Sequence, residues 1–407
     1  MNVLLLIVSL LLAAGDASCQ NLRMLYMVQA GYQPRDIQER AEEYRKETGR
    51  EVKLSFATYE EVYDLIHASA AAGRADFDVV LADLIWMDDY VARGILAPVP
   101  DRLAADISAG TVEEIHRPFR KDGRFWAYPF LANIQLLYVN RDLLARAGYQ
   151  SLPETLEDLV EMARAAKNAG LVKYPLLDSW NRQEVLVCEF TLMAGAFGGS
   201  LTDADGKPRV DGPACVRALR FMASLMREGL MNPYSLQSNE VFAADAFLSG
   251  DVLFQTNWTF VTGRISRPGT GSPRLEAALI PVSRSVKPAA STSTVSGYQG
   301  LAVPANSARK EEAWRFIEYL AAPAFQRRHL TEMSVWKEVW DEPRTLQIDP
   351  DIGLKKAQIA GVHDRPGNPA YRTISLILQE SLFAALQGTV APDKALADAQ
   401  ARIGALP

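Results

Sequence analysis

Four short stretches set an aromatic ring beside a polar side chain: Asp83 with Trp86, Asp178 with Trp180, Asn257 with Trp258, and Tyr298 between Gly297 and Gln299. That pairing suits a sugar, whose C–H faces stack on aromatic rings and whose hydroxyl edges need carboxylates, amides or guanidinium groups. Each stretch falls at the end of a predicted strand or in a loop, where an α/β fold places its ligands. A single tryptophan at such a position is explained as well by packing; the recurrence gives the pattern its weight.

Bond-breaking chemistry leaves no such trace. The sequence has no Gly-x-Ser-x-Gly elbow, no phosphate loop, no His-Glu-x-x-His and no cysteine paired with a base. Carboxylates are plentiful enough to supply a glycosidase pair, but nothing singles two of them out. The four histidines, His67, His116, His329 and His363, show no metal-ligand spacing, so neither a metal nor a cofactor is expected. Cys188 and Cys215 sit among apolar, helix-like residues and read as buried free thiols rather than a disulfide.

The elements that must position these residues alternate short apolar runs with longer amphipathic ones, the pattern of parallel βαβ units. Leu22 to Val28 reads as a strand, Ile37 to Thr48 as a helix stopped by Gly49, and Val52, Leu54 and Phe56 alternate as a strand does. A helix from Tyr59 to Ala72 and a buried strand from Phe77 to Ala82, closed by Asp83, follow. A second set begins with a strand at Gln135 to Val139 and the helix Arg141 to Ala147. Thr155 and Asp158 then cap a helix that ends at Gly170. Ala218, Phe221, Met222, Leu225 and Met226 mark another helix, as do Ala313, Phe316, Ile317 and Leu320. Strands are expected at 252–254 and 301–303, separated by a Pro-, Gly- and Ser-rich loop over 266–298, and the chain is expected to be helical throughout from Tyr371.

At 407 residues the chain exceeds what one core usually supports, so two domains are expected. Its 48% apolar and 23% charged residues describe an ordinary folded protein. The net charge of −6 comes from 49 acidic and 43 basic residues scattered along the chain, which offers no basic face to nucleic acid. Val3 to Ala14 is an apolar run of signal-peptide length, too short to span a bilayer, and small residues follow it. Residues 1–18 are therefore expected to be a signal peptide and the protein to be exported. Cys19 stands where a bacterial lipoprotein carries its lipid, although Asp16 occupies a position that is normally apolar. Lipidation of Cys19 and simple cleavage after Ala17 or Ser18 both remain open, giving a periplasmic or a lipid-anchored protein.

Several motifs follow one another in a telling order: Phe77 to Trp86 with Gly94-Ile95-Leu96-Ala97-Pro98, Gly123 to Pro129, and Leu137 to Leu144. After them come Pro153 to Leu159, Phe247-Leu248-Ser249-Gly250-Asp251, Asn257-Trp258, Gly297-Tyr298 with Leu301 to Pro304, and Ala313 to Ile317. In that order and spacing the chain, from about residue 22 to its end, resembles the family 1 extracellular solute-binding proteins of ABC importers, the group that includes maltose- and trehalose-binding proteins. The resemblance implies two α/β lobes joined by crossover hinge segments, with the ligand in the cleft between them. Lobe one would comprise 22–132 with 299–332 and lobe two 133–298 with 333–407, the crossings lying near Ala132, Tyr298 and Ser334. It also implies that Asp83 holds sugar hydroxyls, and it adds Gln29, Tyr59, Arg365 and Trp336 to the candidates. Two departures are visible: Asn257 stands where glycine is common, and Trp126 replaces a small residue.

The expected function is capture of a di- or oligosaccharide and its delivery, by a monomer, to the membrane permease of an ABC importer. Three alternatives stay open on sequence. The same fold could hold a polyamine, a metal or a phosphorylated compound; the protein could be a secreted glycosidase; or it could serve a receptor as a sensor or adhesin.

Overall fold

A computed structural model of the protein describes residues 21–28, 31–265, 273–286 and 291–406. The expected signal peptide, Cys19 and Gln29 lie outside the described residues. The chain opens as the βαβ pattern requires: β1 (Leu22–Met27) lies between β2 (Val52–Ala57) and β3 (Val79–Asp83), parallel to both. Helices α1 (Pro34–Thr48) and α2 (Tyr59–Ala71) make the connections. Gly49, in the left-handed conformation at φ 74°, ends α1, where a side chain would be strained.

Next comes β4 (Tyr128–Asn140), thirteen residues buried at every position. It is followed by α3 (Leu156–Asn168), α4 (Glu184–Ala196), α5 (Pro213–Arg227) and α6 (Glu240–Leu248). Three strands, β5 (Phe254–Trp258), β6 (Leu275–Ala278) and β7 (Thr294–Ala302), precede α7 (Lys310–Ala321), the two-residue β8 (Val362–His363), α8 (Tyr371–Leu386) and α9 (Pro392–Gly404). The sheet runs β2-β1-β3-β7-β4-β5, with β6 also paired to β4 and β8 to β7.

Two large cores divide this sheet, and a smaller third, Leu136 and Tyr138 of β4 with Ala243, Ala244 and Phe247 of α6, covers the other face of β4 from the second. The first gathers β1 to β3, Tyr128 to Ile134 of β4, and Tyr298, Leu301 and Ala302 of β7 under α1, α2 and α7. The second gathers Leu137 and Val139 of β4 and Val295 of β7 against α3, α4, α5, α8 and α9. Thus β4 and β7, antiparallel neighbours, each pass from one core into the other, and these are the strands that carry Ala132 and Tyr298. Among the described residues no helix is long and apolar enough to cross a membrane.

Four expectations differ from what the fold shows. Residues 294–298, expected in the loop, belong to the central strand β7, which runs on into the strand expected at 301–303; their Thr, Ser and Gly residues fit a strand buried on both faces that must accept close neighbours. Met333, Val335, Trp336, Val339 and Trp340 join the first core, although the resemblance implies that 333–407 belongs to the second lobe. Asn257 and Trp258 lie on β5 itself, not beyond it. The terminal helix is broken into α8 and α9 by Gly388, at φ 75°, with Pro392 opening the second piece. Cys188 and Cys215 are buried and free.

Candidate functional site

A cavity of about 390 Å³ opens between the two lobes, within the roughly 300–1,000 Å³ range of small-molecule sites. Three helices begin in its wall: Thr58, Tyr59 and Glu60 start α2, Gln183, Glu184 and Val185 start α4, and Asn239, Glu240 and Val241 start α6. Asp83, Gly297 and Gln299 line it from the ends and middle of strands, and Arg365 from the loop after β8.

Asp83 ends β3 and caps the short turn Leu84–Trp86, its Oδ1 accepting the Ile85 N–H at 3.2 Å. Burial pushes its pKa up, while the Arg365 guanidinium and the Ile85 N–H pull it down. Arg365, with 2% of its side chain exposed, donates to Glu184 Oε1 at 2.8 Å and to the Ser296 carbonyl at 3.0 Å, and stands 3.7 Å from Asp83. Glu184 also accepts from the Tyr371 hydroxyl at 2.6 Å and from Ser375. One guanidinium thereby ties β3 of the first lobe to α4 of the second, and Glu184 carries the tie on to α8.

Across the cavity, the Trp258 indole N–H donates to Glu240 at 3.4 Å, and burial raises the Glu240 pKa. Asn257 fixes this corner from behind: its Nδ2 donates to the Glu240 carbonyl at 2.9 Å and its Oδ1 accepts the Trp258 N–H at 2.8 Å. Gly297 makes room for the indole, since a Cβ there would lie 2.6 Å from the Trp258 ring. The cavity thus presents an aromatic ring, several carboxylate acceptors and one buried cation, and no described group in it forms a nucleophile–base pair.

A model of the bacterial extracellular solute-binding proteins matches residues 30–327. The chain belongs to this family. A probable ABC transporter-binding protein of Deinococcus radiodurans is 26% identical to it over 88% of this chain and 86% of the relative. A mannitol-binding protein of Pseudomonas aeruginosa is 24% identical over 87% and 86% of the two chains. The fold matches that of maltose-bound MalE3 of T. maritima with a TM-score of 0.82, covering 94% of this chain and 99% of the other at 24% identity. The family is made of binding proteins.

In this solute-binding protein Asp83, Tyr59, Trp258, Gly297 and Arg365 converge on the cavity. Trp86 stands one step away, in an adjoining hollow of about 260 Å³ that shares Tyr59, Glu60, Gln183 and Glu184 with it, and its ring centroid is 5.2 Å from that of Tyr59. The other candidates lie elsewhere. Tyr298 faces the first core, because strand alternation turns it away from the side that Gly297 and Gln299 share. Trp180 is 1% exposed in the second core. Trp336 packs in the first core, its indole N–H donating to the Ala321 carbonyl at 2.8 Å over Gly110. Asn257 braces the wall without lining it. Asp178 is buried beside Glu189: the Thr256 N–H donates to Asp178 and the Thr256 hydroxyl to Glu189, both at 2.8 Å.

Sequence reasoning missed Glu60, Glu184, Glu240 and Asn133, and it noted Gln299 only as a neighbour of Tyr298. Glu184 opens α4, a helix buried on every side, so no amphipathic period marks it and Gln183 is not a usual cap residue. Glu240 had a signal, Asn239, whose side chain accepts the Phe242 N–H as an N-cap.

Proposed function

We propose that this protein captures a neutral or weakly charged sugar, a di- or oligosaccharide or a related polyol, between its lobes and hands it to the permease of an ABC importer. The observation that carries this reading is the Trp258 ring and the carboxylates of Asp83, Glu184 and Glu240 converging on one cavity between two lobes. Carboxylates accept hydroxyl hydrogen bonds and the ring takes a C–H face. The names of the mannitol-binding relative and the maltose-bound neighbour point the same way. On this reading the protein is exported, acts as a monomer and does no chemistry on its ligand.

Isothermal titration calorimetry with maltose, lactose, mannitol and larger maltodextrins tests it. One of these should bind one-to-one, be recovered unchanged, and shrink the radius of gyration in small-angle scattering as the lobes close. Silence across this panel and across the amino sugars that correspond to it, or conversion of the ligand to product, would sink the reading.

A further inference from the structure

The cavity is more acidic than hydroxyl recognition requires. Glu60, Asp83, Glu184 and Glu240 line it, and Arg365 is the cation among its described lining residues. That guanidinium is already engaged by Glu184, the Ser296 carbonyl and Asp83. No lysine, arginine or histidine among the described residues pairs with Glu60 or Glu240, yet these two reach the cavity from opposite lobes and the charge of Glu60 is felt at Glu240. Arg182 belongs to the adjoining hollow and is exposed.

Three helix N-termini in one wall would ordinarily favour an anion. Here each first turn carries the chain's own carboxylate: Glu60 on α2, Glu184 on α4 and Glu240 on α6. A phosphate or carboxylate ligand would meet like charge at every one of them. Two further atoms await a ligand, for the Tyr59 hydroxyl and Arg365 Nε are buried without a hydrogen-bond partner, and both residues line this cavity. They suit ring and hydroxyl oxygens, which leaves Glu60 and Glu240 to be matched by something positive.

Building on the sugar-binding reading, we propose that the ligand is an amino sugar whose ammonium group sits between Glu60 and Glu240 beside the Trp258 ring. An ammonium donates three hydrogen bonds, meets two carboxylates with opposite charge, and is attracted to an indole face. The amine would bridge the lobes on the side opposite Arg365, so that each end of the cleft is held by one cation, one from the protein and one from the ligand.

Calorimetry at pH 7 on matched pairs tests this: cellobiose against the β-1,4 disaccharide of glucosamine, and sorbitol against 1-amino-1-deoxysorbitol. The aminated member of a pair should bind at least roughly tenfold tighter, the scale of one charge-assisted hydrogen bond. In Glu240→Gln that ratio should collapse towards one, and in the exposed Glu60→Gln, which carries little risk to folding, it should fall several-fold. Neutral sugars binding as tightly as their amines would overturn the inference and leave the sugar reading standing. Spermidine binding while every sugar fails, or no binding at all, would overturn both. A preference that survives in both variants would remove Glu60 and Glu240 from amine recognition.

Discussion

Asp83 and Glu184 share a guanidinium, whereas Asp178 and Glu189 share a threonine. Both pairs are carboxylates withdrawn from water, and what surrounds them sets them to different tasks. Arg365 stands opposite the first pair at the cavity wall, so that charge taken out of water is compensated while both carboxylates still line the cavity. No cation among the described residues stands opposite the second pair. Burial pushes Asp178 up to about 7 and Glu189 well above the usual carboxylate range, the charge of Asp178 adding to the rise at Glu189. Paired carboxylates next to tryptophans are therefore not equivalent clues: the Asp178–Trp180 motif resembles the Asp83–Trp86 motif in sequence, yet it belongs to the interior of the second lobe.

Removing the shared cation should break the contrast most strongly. Arg365→Met leaves Asp83 and Glu184 without compensation and should cost about 3–5 kcal/mol in urea unfolding, with Asp83→Asn in the same background restoring part of it. A loss under about 1 kcal/mol would mean that the two pairs are held alike.

Next in size is the effect on binding. A hydrogen bond to a charged group contributes about 1.5–3 kcal/mol, so Asp83→Ala should weaken sugar binding by roughly 10- to 150-fold. Trp258→Ala should weaken it at least as much, since the ring's apolar contact is lost as well. The same change at Asp178 should leave affinity near wild type and lower Tm. Calorimetry and melting on all three variants separate the cavity pair from the interior pair, and a binding defect at Asp178 equal to that at Asp83 would erase the distinction.

The smallest effect per step of the variable changed is one of pH. An unfolded aspartate titrates near 3.9, whereas folded Asp178 is pushed up to about 7. Between those values the folded chain keeps a proton that the unfolded chain gives up, so stability falls as pH rises, by at most about 1.4 kcal/mol per pH unit for this group. The contribution is full below about pH 4 and gone above about pH 7. Asp178→Asn should flatten the slope of urea stability between pH 5 and 7.5. Burial also raises Glu332 to about 7, but it titrates in both proteins and drops out of their difference. Identical slopes would show that Asp178 is not the member of the interior pair that holds a proton.

Much of the fold was legible because it obeys period. Alternation in β2 and the amphipathic faces of α3 and α5 sit where the sequence puts them, for each element has one wet side. The elements that escaped have no wet side. Thirteen consecutive buried residues hide the full length of β4, twelve buried residues in α4 remove its helical period, and small polar residues disguise β7 as a loop. The site follows the same logic. Asp83 and Trp258 could be found at strand ends, while Tyr298 was misjudged by one position, which in a strand is a change of face. Glu184 and Glu240 depend on helix starts that only the assembled wall reveals.

The two strands common to both cores also decide what kinds of movement the molecule permits. Because β4 and β7 are hydrogen-bonded to each other from Tyr128–Leu301 to Ile134–Ser296, they form a two-stranded ribbon, not a pair of independent tethers. Such a ribbon yields readily to twist and to bending out of its plane, but sliding one strand along the other would break every rung and turn side chains to the wrong face. The lobes can therefore swing or twist about this ribbon without its strands slipping, and because Gly297 pairs with Asn133 and Trp258 with Gln135 on the same strand β4, the two keep their registry whatever the angle between the lobes.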